Sequence, residues 1–363
     1  MSYNAYLVCG ERTALIDTVD ACFTGRLLAN VRERLAGRPL DYLVINHMEP
    51  DHSASIAAIR QVYPAVRIVG NAKTLQMVEG YYGIAEGTVE VKEGDTLDLG
   101  GLSLSFCLIP MVHWPETMAT WCAEERTLFS GDAFGTFGAL NGGVTDEELD
   151  VEPFWEEMRR YYACIVGKYG QPVQRALQKI ASLDIAAICS THGPVWRREK
   201  DRVIALYDKM SRYEGEPGVV IAYGSMYGNT EQVAETVARD LAAAGVRPIV
   251  VYNLSTADVS QVLRDIFRYD TLVVGSPTYN GQLFPPVDGL LHKIAERCIP
   301  HRRFACFGSF TWAGAAVRRM TEFAEGMKWP VVGAPIELKQ GYSPHVESSC
   351  RSMVEALIED MKP

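Results

Sequence analysis

From about residue 217 onward, short apolar β-branched runs alternate with stretches of helical spacing, and this alternation limits the possible folds most severely. VVIAYG (219–224) precedes a helix from Thr230 to about Ala244, and RPIVVYNL (247–254) precedes one reaching about Phe267. TLVVGSP (271–277), FACFGS (304–309) and VVGAPIEL (331–338) follow, with helices between and after them. Five strands of this kind, too uniformly apolar to face water on either side, specify a parallel, doubly wound sheet.

The first half reads as a different α/β unit. LDYLVIN (40–46), AVRIVG (65–70), LSLSFCLIP (102–110) and DIAAICS (184–190) have the composition of buried strands. Residues 117–132 alternate apolar and polar side chains around a polar centre, as a hairpin does. Residues 153–182 show helical spacing in two pieces, broken near Gly167 to Pro172. The expected division is a first domain over 1–200, a helical linker over 201–217 and a second domain over 218–363.

A length of 363 residues suits two cores of ordinary size. The net charge of −10 argues against a nucleic-acid partner, although helix ends can still hold an anionic cofactor. No apolar run approaches the roughly 18–20 residues that span a bilayer, and the start lacks a leader pattern. Nine cysteines scattered singly, with no CxxC pair, fit a reduced cytoplasmic setting better than a disulfide framework.

Residues 43–53 read LVINHMEPDHS: a buried strand delivers His47, Glu49, Asp51 and His52 into one loop. So many ionisable groups after an apolar strand are costly unless a positive charge compensates them. Nitrogen and carboxylate donors together suit iron, manganese or zinc. His113 follows LIPMV, Asp132 lies in FSGDAFG and His192 in CSTHGPVW, each at a strand end. Taken singly, His113 or His192 reads as a hydrogen-bonded core histidine, Asp132 as a turn residue, and Asp51 as a helix cap. Taken together, four histidines and three carboxylates suffice for two metals with three terminal ligands each and one bridging carboxylate.

A second constellation lies in the other half. The loop GSMYGNT presents Ser225, Met226, Tyr227, Gly228, Asn229 and Thr230 ahead of a helix, as a phosphate cradle does. It has neither the lysine of a P-loop nor a GxGxxG, which points to a monophosphate cofactor. Two further loops follow later strands, where doubly wound sheets bind ligands. One contains Pro277, Thr278, Tyr279, Asn280 and Gly281; the other contains Ser309, Phe310, Thr311, Trp312, Ala313 and Gly314. Their aromatic residues suit a flat ring and their glycines a close backbone approach.

The order HxExDH, His, GDxFG, HGPxW resembles the metallo-β-lactamase-like αββα domain of flavodiiron proteins, and the spacing S-x-Y-G-N-T is similar to the FMN loop of flavodoxins. Hydrolytic relatives of that fold carry HxHxDH, whereas this chain has Glu49 in place of the second histidine. The resemblance covers nearly the whole chain. It implies that His47, Glu49 and His113 hold one iron, that Asp51, His52 and His192 hold the other, and that Asp132 bridges them. It further implies FMN as electron relay, reduction of O2 to water or of NO to N2O, and a head-to-tail homodimer or a dimer of such dimers. With no further domain after residue 363, the electron donor is expected to be separate: rubredoxin or reduced deazaflavin F420. Members of the family carry an additional segment ahead of the SYNAYL stretch, so the first strands of the metal domain are expected to be missing. A zinc hydrolase with an accessory flavodoxin domain and a pure electron carrier are the rival expectations. Tyr161 and Tyr162 read as packing residues, with a pocket-lining role as the alternative.

Overall fold

A computed structural model describes residues 1–362, in two compact units, Met1–Arg212 and a second that begins at Tyr213. In the first unit, β1 (Tyr6–Cys9), β2 (Thr13–Ile16), β3 (Tyr42–Val44), β4 (Arg67–Gly70) and β5 (Thr88–Glu90) form one sheet in that order. The pair β1–β2 is antiparallel and the remaining pairs are parallel. The second sheet takes β6 (Thr96–Asp98), β7 (Ser103–Leu108), β8 (Met118–Cys122), β9 (Thr127–Gly131) and β10 (Ala187–Ser190), with only β9–β10 parallel.

The two-residue period of a strand explains the layering. Along β3, Tyr42 and Val44 join Val69, Leu104, Phe106 and Met118 between the sheets. Leu43 and Ile45 face the opposite way, toward Leu27, Val31 and Leu35 of the helix Thr24–Leu35 and toward Ile56 and Ile59. Both faces of the strand are therefore covered, which is why LDYLVIN reads as a continuous apolar run. On the outer side of the second sheet, Ala119 and Leu128 meet Val173, Leu177 and Ile180 of the helix Gly170–Ile180. The result is the expected αββα sandwich. The break in the 153–182 region is a π-helical turn, Tyr162–Val166, between the helices Glu152–Tyr161 and Gly170–Ile180. The missing first strands are an expectation about chain ahead of the described residues; within them, the β1–β2 hairpin borders the first sheet.

The span expected as a helical linker is helical over Lys200–Ser211. Lys200–Ser211 buries Val203, Tyr207 and Met210 and belongs to the first unit, so the division falls near residue 213 rather than across 201–217. An apolar stripe inside a polar stretch accounts for the difference.

In the second unit the strand order is β12 (Ile249–Asn253), β11 (Glu216–Tyr223), β13 (Tyr269–Tyr279), β15 (Arg303–Phe310), β16 (Ile336–Lys339), all parallel, the flavodoxin-like doubly wound order. A two-residue strand β14 (Gln282–Leu283) turns back on β13. Within VVGAPIEL only the second half pairs as a strand. Gly333 at φ +71° and Pro335 interrupt the run, leaving Val331 as an isolated bridge to Phe304. Val233, Val237 and Leu241 of the helix Asn229–Ala243 and Cys350, Met353 and Leu357 of Pro344–Asp360 cover one face.

Candidate active site

The first unit gathers its ionisable residues where strands end. His47 follows β3, His113 follows β7, Asp132 is the first residue after β9, and His192 comes two residues after β10. Glu49, Asp51 and His52 occupy the short turn Pro50–Ser53 and its approach, held to the segment after β2 by Thr18, whose hydroxyl donates to the His52 carbonyl at 2.6 Å. Asp17 Oδ1 accepts from Asn46 N at 2.7 Å and fixes the point at which the chain leaves β3. His47, His52, Asp132 and His192 are all at most 2% exposed.

Two ligand groups result: His47, Glu49, His113 and Asp132 in one, Asp51, His52 and His192 in the other. Asp132 serves both. Its Oδ2 lies 3.0 Å from His113 Nε2 and 3.6 Å from His47 Nε2. Its Oδ1 lies 2.9 Å from His52 Nε2 and 3.6 Å from His192 Nε2. Glu49 Oε2 closes the first group at 3.0 Å from His113 and 3.4 Å from His47. Asp51 closes the second at 3.4 Å from both His52 and His192.

The donor set fits a pair of cations. Glu49, Asp51, Asp132 and Glu116 bring four negative charges into a mostly buried volume, and among the described residues none is paired with lysine or arginine. His47 Nε2, His52 Nε2 and Asp51 Oδ1 are buried without a hydrogen-bond partner and converge on the interior of the cluster. Such groups are costly unless an ion satisfies them. Burial opposes charging His47, but the Glu116 and Glu49 carboxylates beside it outweigh that and push its pKa up to about 10. Bonds from His113 and then His47 pull Glu49 down to about 2. Asp132 is held well below the usual carboxylate range against its burial, by His52 first and then by His113.

A measurable consequence concerns protons. At pH 8 a free histidine is neutral, whereas in the metal-free fold His47 keeps its proton up to about pH 10. Metal binding at pH 8 in weak buffer should therefore release at least about one proton per chain. The raised pKa also stabilises the metal-free fold fully below about pH 6.5, the unfolded value. That contribution fades as pH climbs through about 10. An indicator dye and a thermal melt check the two statements; no release, or a melt that rises across this window, contradicts them.

Several supporting residues escaped the sequence reading. Glu116, 1% exposed, accepts through Oε1 from His47 Nδ1 at 2.9 Å and from Met48 N at 3.0 Å. Its position three residues after His113 was the available signal. Thr191 donates to Asp132 Oδ1 at 2.6 Å, and Asn71 donates to the Glu116 carbonyl at 2.5 Å. Tyr161, read as packing, is buried with its ring 5.6 Å from that of His192 and 5.1 Å from Phe137, so it borders the cluster. Tyr162 packs edge-on against Tyr207 at 5.2 Å.

In the second unit, three segments meet at the carboxyl ends of β11, β13 and β15. Gly228, at φ +87°, precedes the helix Asn229–Ala243, which no side chain caps, so its first N–H groups are available to an anion. Gly228 N donates to Ser225 Oγ at 3.1 Å, and Thr230 Oγ1 lies 2.8 Å from Ser309 Oγ. Thr278 Oγ1 accepts from Ala315 N at 3.0 Å and Ala316 N at 3.2 Å. Asn280 and Gly281 both have positive φ, 50° and 71°, and make the two-residue turn joining β13 to β14. The strands run further than the sequence suggested: Thr278 and Tyr279 belong to β13, and Phe310 to β15. Pro277 is buried, and the Thr278 hydroxyl is engaged with Ala315 and Ala316, so these two shape the loops. Met226, Tyr227, Tyr279 and Trp312 are exposed, Tyr227 and Trp312 by 87% and 88%, and leave aromatic surface for a flat ring.

Comparison with known proteins gives concordant results. The family model described as ODP family beta lactamase matches residues 1–193, and the flavodoxin model matches 221–350. The chain is 33% identical to an anaerobic nitric oxide reductase flavorubredoxin of Escherichia coli over 325 residues, covering 88% of this chain and 68% of that one. Its structure is similar to rubredoxin oxygen:oxidoreductase from Desulfovibrio gigas, with TM-score 0.94 and 28% identity, covering 99% of this chain and 90% of that one. It is also similar to the flavodiiron protein of Giardia intestinalis, with TM-score 0.93 and 26% identity, covering 99% and 91%.

Proposed function

Since this chain belongs to the flavodiiron protein family, we propose that the cluster around Asp132 holds two irons and that the protein reduces O2 to water, NO to N2O, or both. The observation that carries this reading is the division of Asp132, one carboxylate oxygen facing each histidine group. When bound, the irons supply two adjacent redox-active coordination positions, and FMN supplies them with electrons from an external donor.

The residues have distinct tasks in this reading. His47, Glu49 and His113 hold one iron; Asp51, His52 and His192 hold the other; Asp132 keeps them adjacent. Glu116 accepts a hydrogen bond from His47 Nδ1–H, which keeps the hydrogen on that nitrogen and leaves Nε2 free to ligate. Glu49, where hydrolytic relatives have histidine, adds a hard anionic donor that favours iron over zinc. In the second unit, Ser225, Asn229 and Thr230 with the neighbouring backbone N–H groups receive the FMN phosphate. Tyr279, Trp312 and Gly314 border the ring system, and the remaining residues of the three segments, Met226, Tyr227, Gly228, Pro277, Thr278, Asn280, Gly281, Ser309, Phe310, Thr311 and Ala313, shape its edges.

The donor in this reading is a separate rubredoxin, with reduced deazaflavin F420 as the competing reductant. The assembly is a head-to-tail homodimer, in which the flavin of one copy serves the irons of the other. A cytoplasmic setting is supported by nine free cysteines. Among the described residues, no helix is long and apolar enough to cross a membrane. One preparation tests the function: iron, zinc and FMN are quantified, and O2 and NO consumption is followed with reduced rubredoxin. Two irons, one FMN and reductant-dependent consumption are expected per chain. Zinc with activity indifferent to flavin removal overturns the proposal.

A further inference from the structure

The ring of His192 is not fixed by strand pairing. β10 ends at Ser190, where its register with β9 shifts, and the chain then turns through Gly193 at φ +80°. A side chain at 193 is barred, since its Cβ would lie 2.4 Å from Thr136 Oγ1. Residues ahead of β1 do the fixing. His192 Nδ1 lies 2.8 Å from the Ser2 carbonyl oxygen, which can only accept, so Nδ1 carries the hydrogen and Nε2 is left as the ligating atom. Ser2 Oγ accepts from Gly193 N at 2.8 Å. Asn4 N donates to Thr191 O at 2.8 Å, and Asn4 Nδ2 donates to both Ser190 O at 3.0 Å and Gly193 O at 2.9 Å. The Tyr3 ring meets the His192 ring edge-on at 5.6 Å, and Ser2 N is itself anchored on Gly138 O at 3.1 Å.

We infer that Ser2–Asn4 is a clamp that positions His192, so that metal occupancy of the Asp51–His52–His192 half depends on this segment while the His47–Glu49–His113 half does not. The inference rests on the two-iron reading. The halves are supported differently: His47 is oriented by Glu116, and His113 Nε2 lies against Glu49 and Asp132, without contact to residues 2–4. Asn4 is the centre of the clamp because one amide group ties two carbonyls on either side of His192. These three are positioning residues, acting through His192.

The test is an anaerobic ferrous titration of the full chain, with iron counted after gel filtration and FMN as a folding control. Wild type should retain two irons. Asn4→Ala should retain one tightly and bind the second about 10–100-fold more weakly, the usual effect of losing a partner that orients a ligand. Ser2→Ala, which removes only the Gly193 contact, should weaken the second iron less, and it decides the matter should Asn4→Ala not fold. Cobalt substitution gives a second readout: absorption from one half-site should change and the other persist. Two irons held by both variants with unchanged affinity overturns the clamp. So does equal weakening of both irons with a lowered melting temperature, which is general loosening. Fewer than two irons in wild type overturns the two-iron reading, and the clamp with it.

Discussion

Asp132→Asn is expected to lower gas reduction by about 10³-fold, equivalent to roughly 4 kcal/mol of barrier, while FMN stays bound. The amide keeps one oxygen but replaces the other with an NH2 group that cannot ligate, so one half of the site loses its shared donor. It also removes one of four negative charges from a site in which none is balanced by lysine or arginine. Thr191, which donates to Oδ1 at 2.6 Å, would meet either a weaker acceptor or a competing donor. Steady-state O2 and NO consumption with a saturating donor measures the effect, and flavin absorbance serves as the control. Activity within a few-fold of wild type contradicts the bridging role.

The second large effect concerns the flavin unit. Gly275 sits in β13 directly opposite Phe307 of β15, and a Cβ at 275 would come within 2.1 Å of the buried Phe307 ring. Gly275→Ala is expected to cost about 3 kcal/mol through overpacking. For a unit of this size that is a fall of roughly 6–12 °C in melting temperature. FMN affinity should fall with it, because the Gly275 carbonyl accepts from Gly224 N at 2.9 Å, immediately before the phosphate loop. Adding Phe307→Leu should restore part of the loss, since the two positions share one contact. Calorimetry of the single and double variants decides it, and an unchanged transition in Gly275→Ala contradicts the packing account.

What the sequence made legible follows from locality. HMEPDH announces itself because four residues of one short segment carry their chemistry side by side, and β3 can be read because both of its faces are buried. The five-strand alternation from β11 to β16 is likewise a local pattern repeated. Contacts between distant segments leave no such trace. Ser2 and His192 stand 190 residues apart, and nothing in SYNAYL states that it will hold a histidine. Glu116 looks like any polar residue of a hairpin base until His47 is seen against it. Arg302 is 1% exposed, although it stands beside His301 and Arg303 in the sequence. It donates to Ile266 O at 3.0 Å, Phe267 O at 2.8 Å and Tyr213 O at 3.0 Å, fastening the start of the flavin unit to a helix end. That the helix expected over 201–217 packs into the first unit was hidden for the same reason: charges dominate the stretch, and the stripe of Val203, Tyr207 and Met210 matters only once it has a surface to cover.

The central claim is that one carboxylate joins two irons closely enough for them to act together. The most direct measurement is Mössbauer spectroscopy in an applied field on anaerobically reconstituted, oxidised protein enriched in iron-57. The account predicts two irons per chain whose spins are coupled into a diamagnetic ground state. A single iron, or two irons that respond as independent paramagnets, would contradict it.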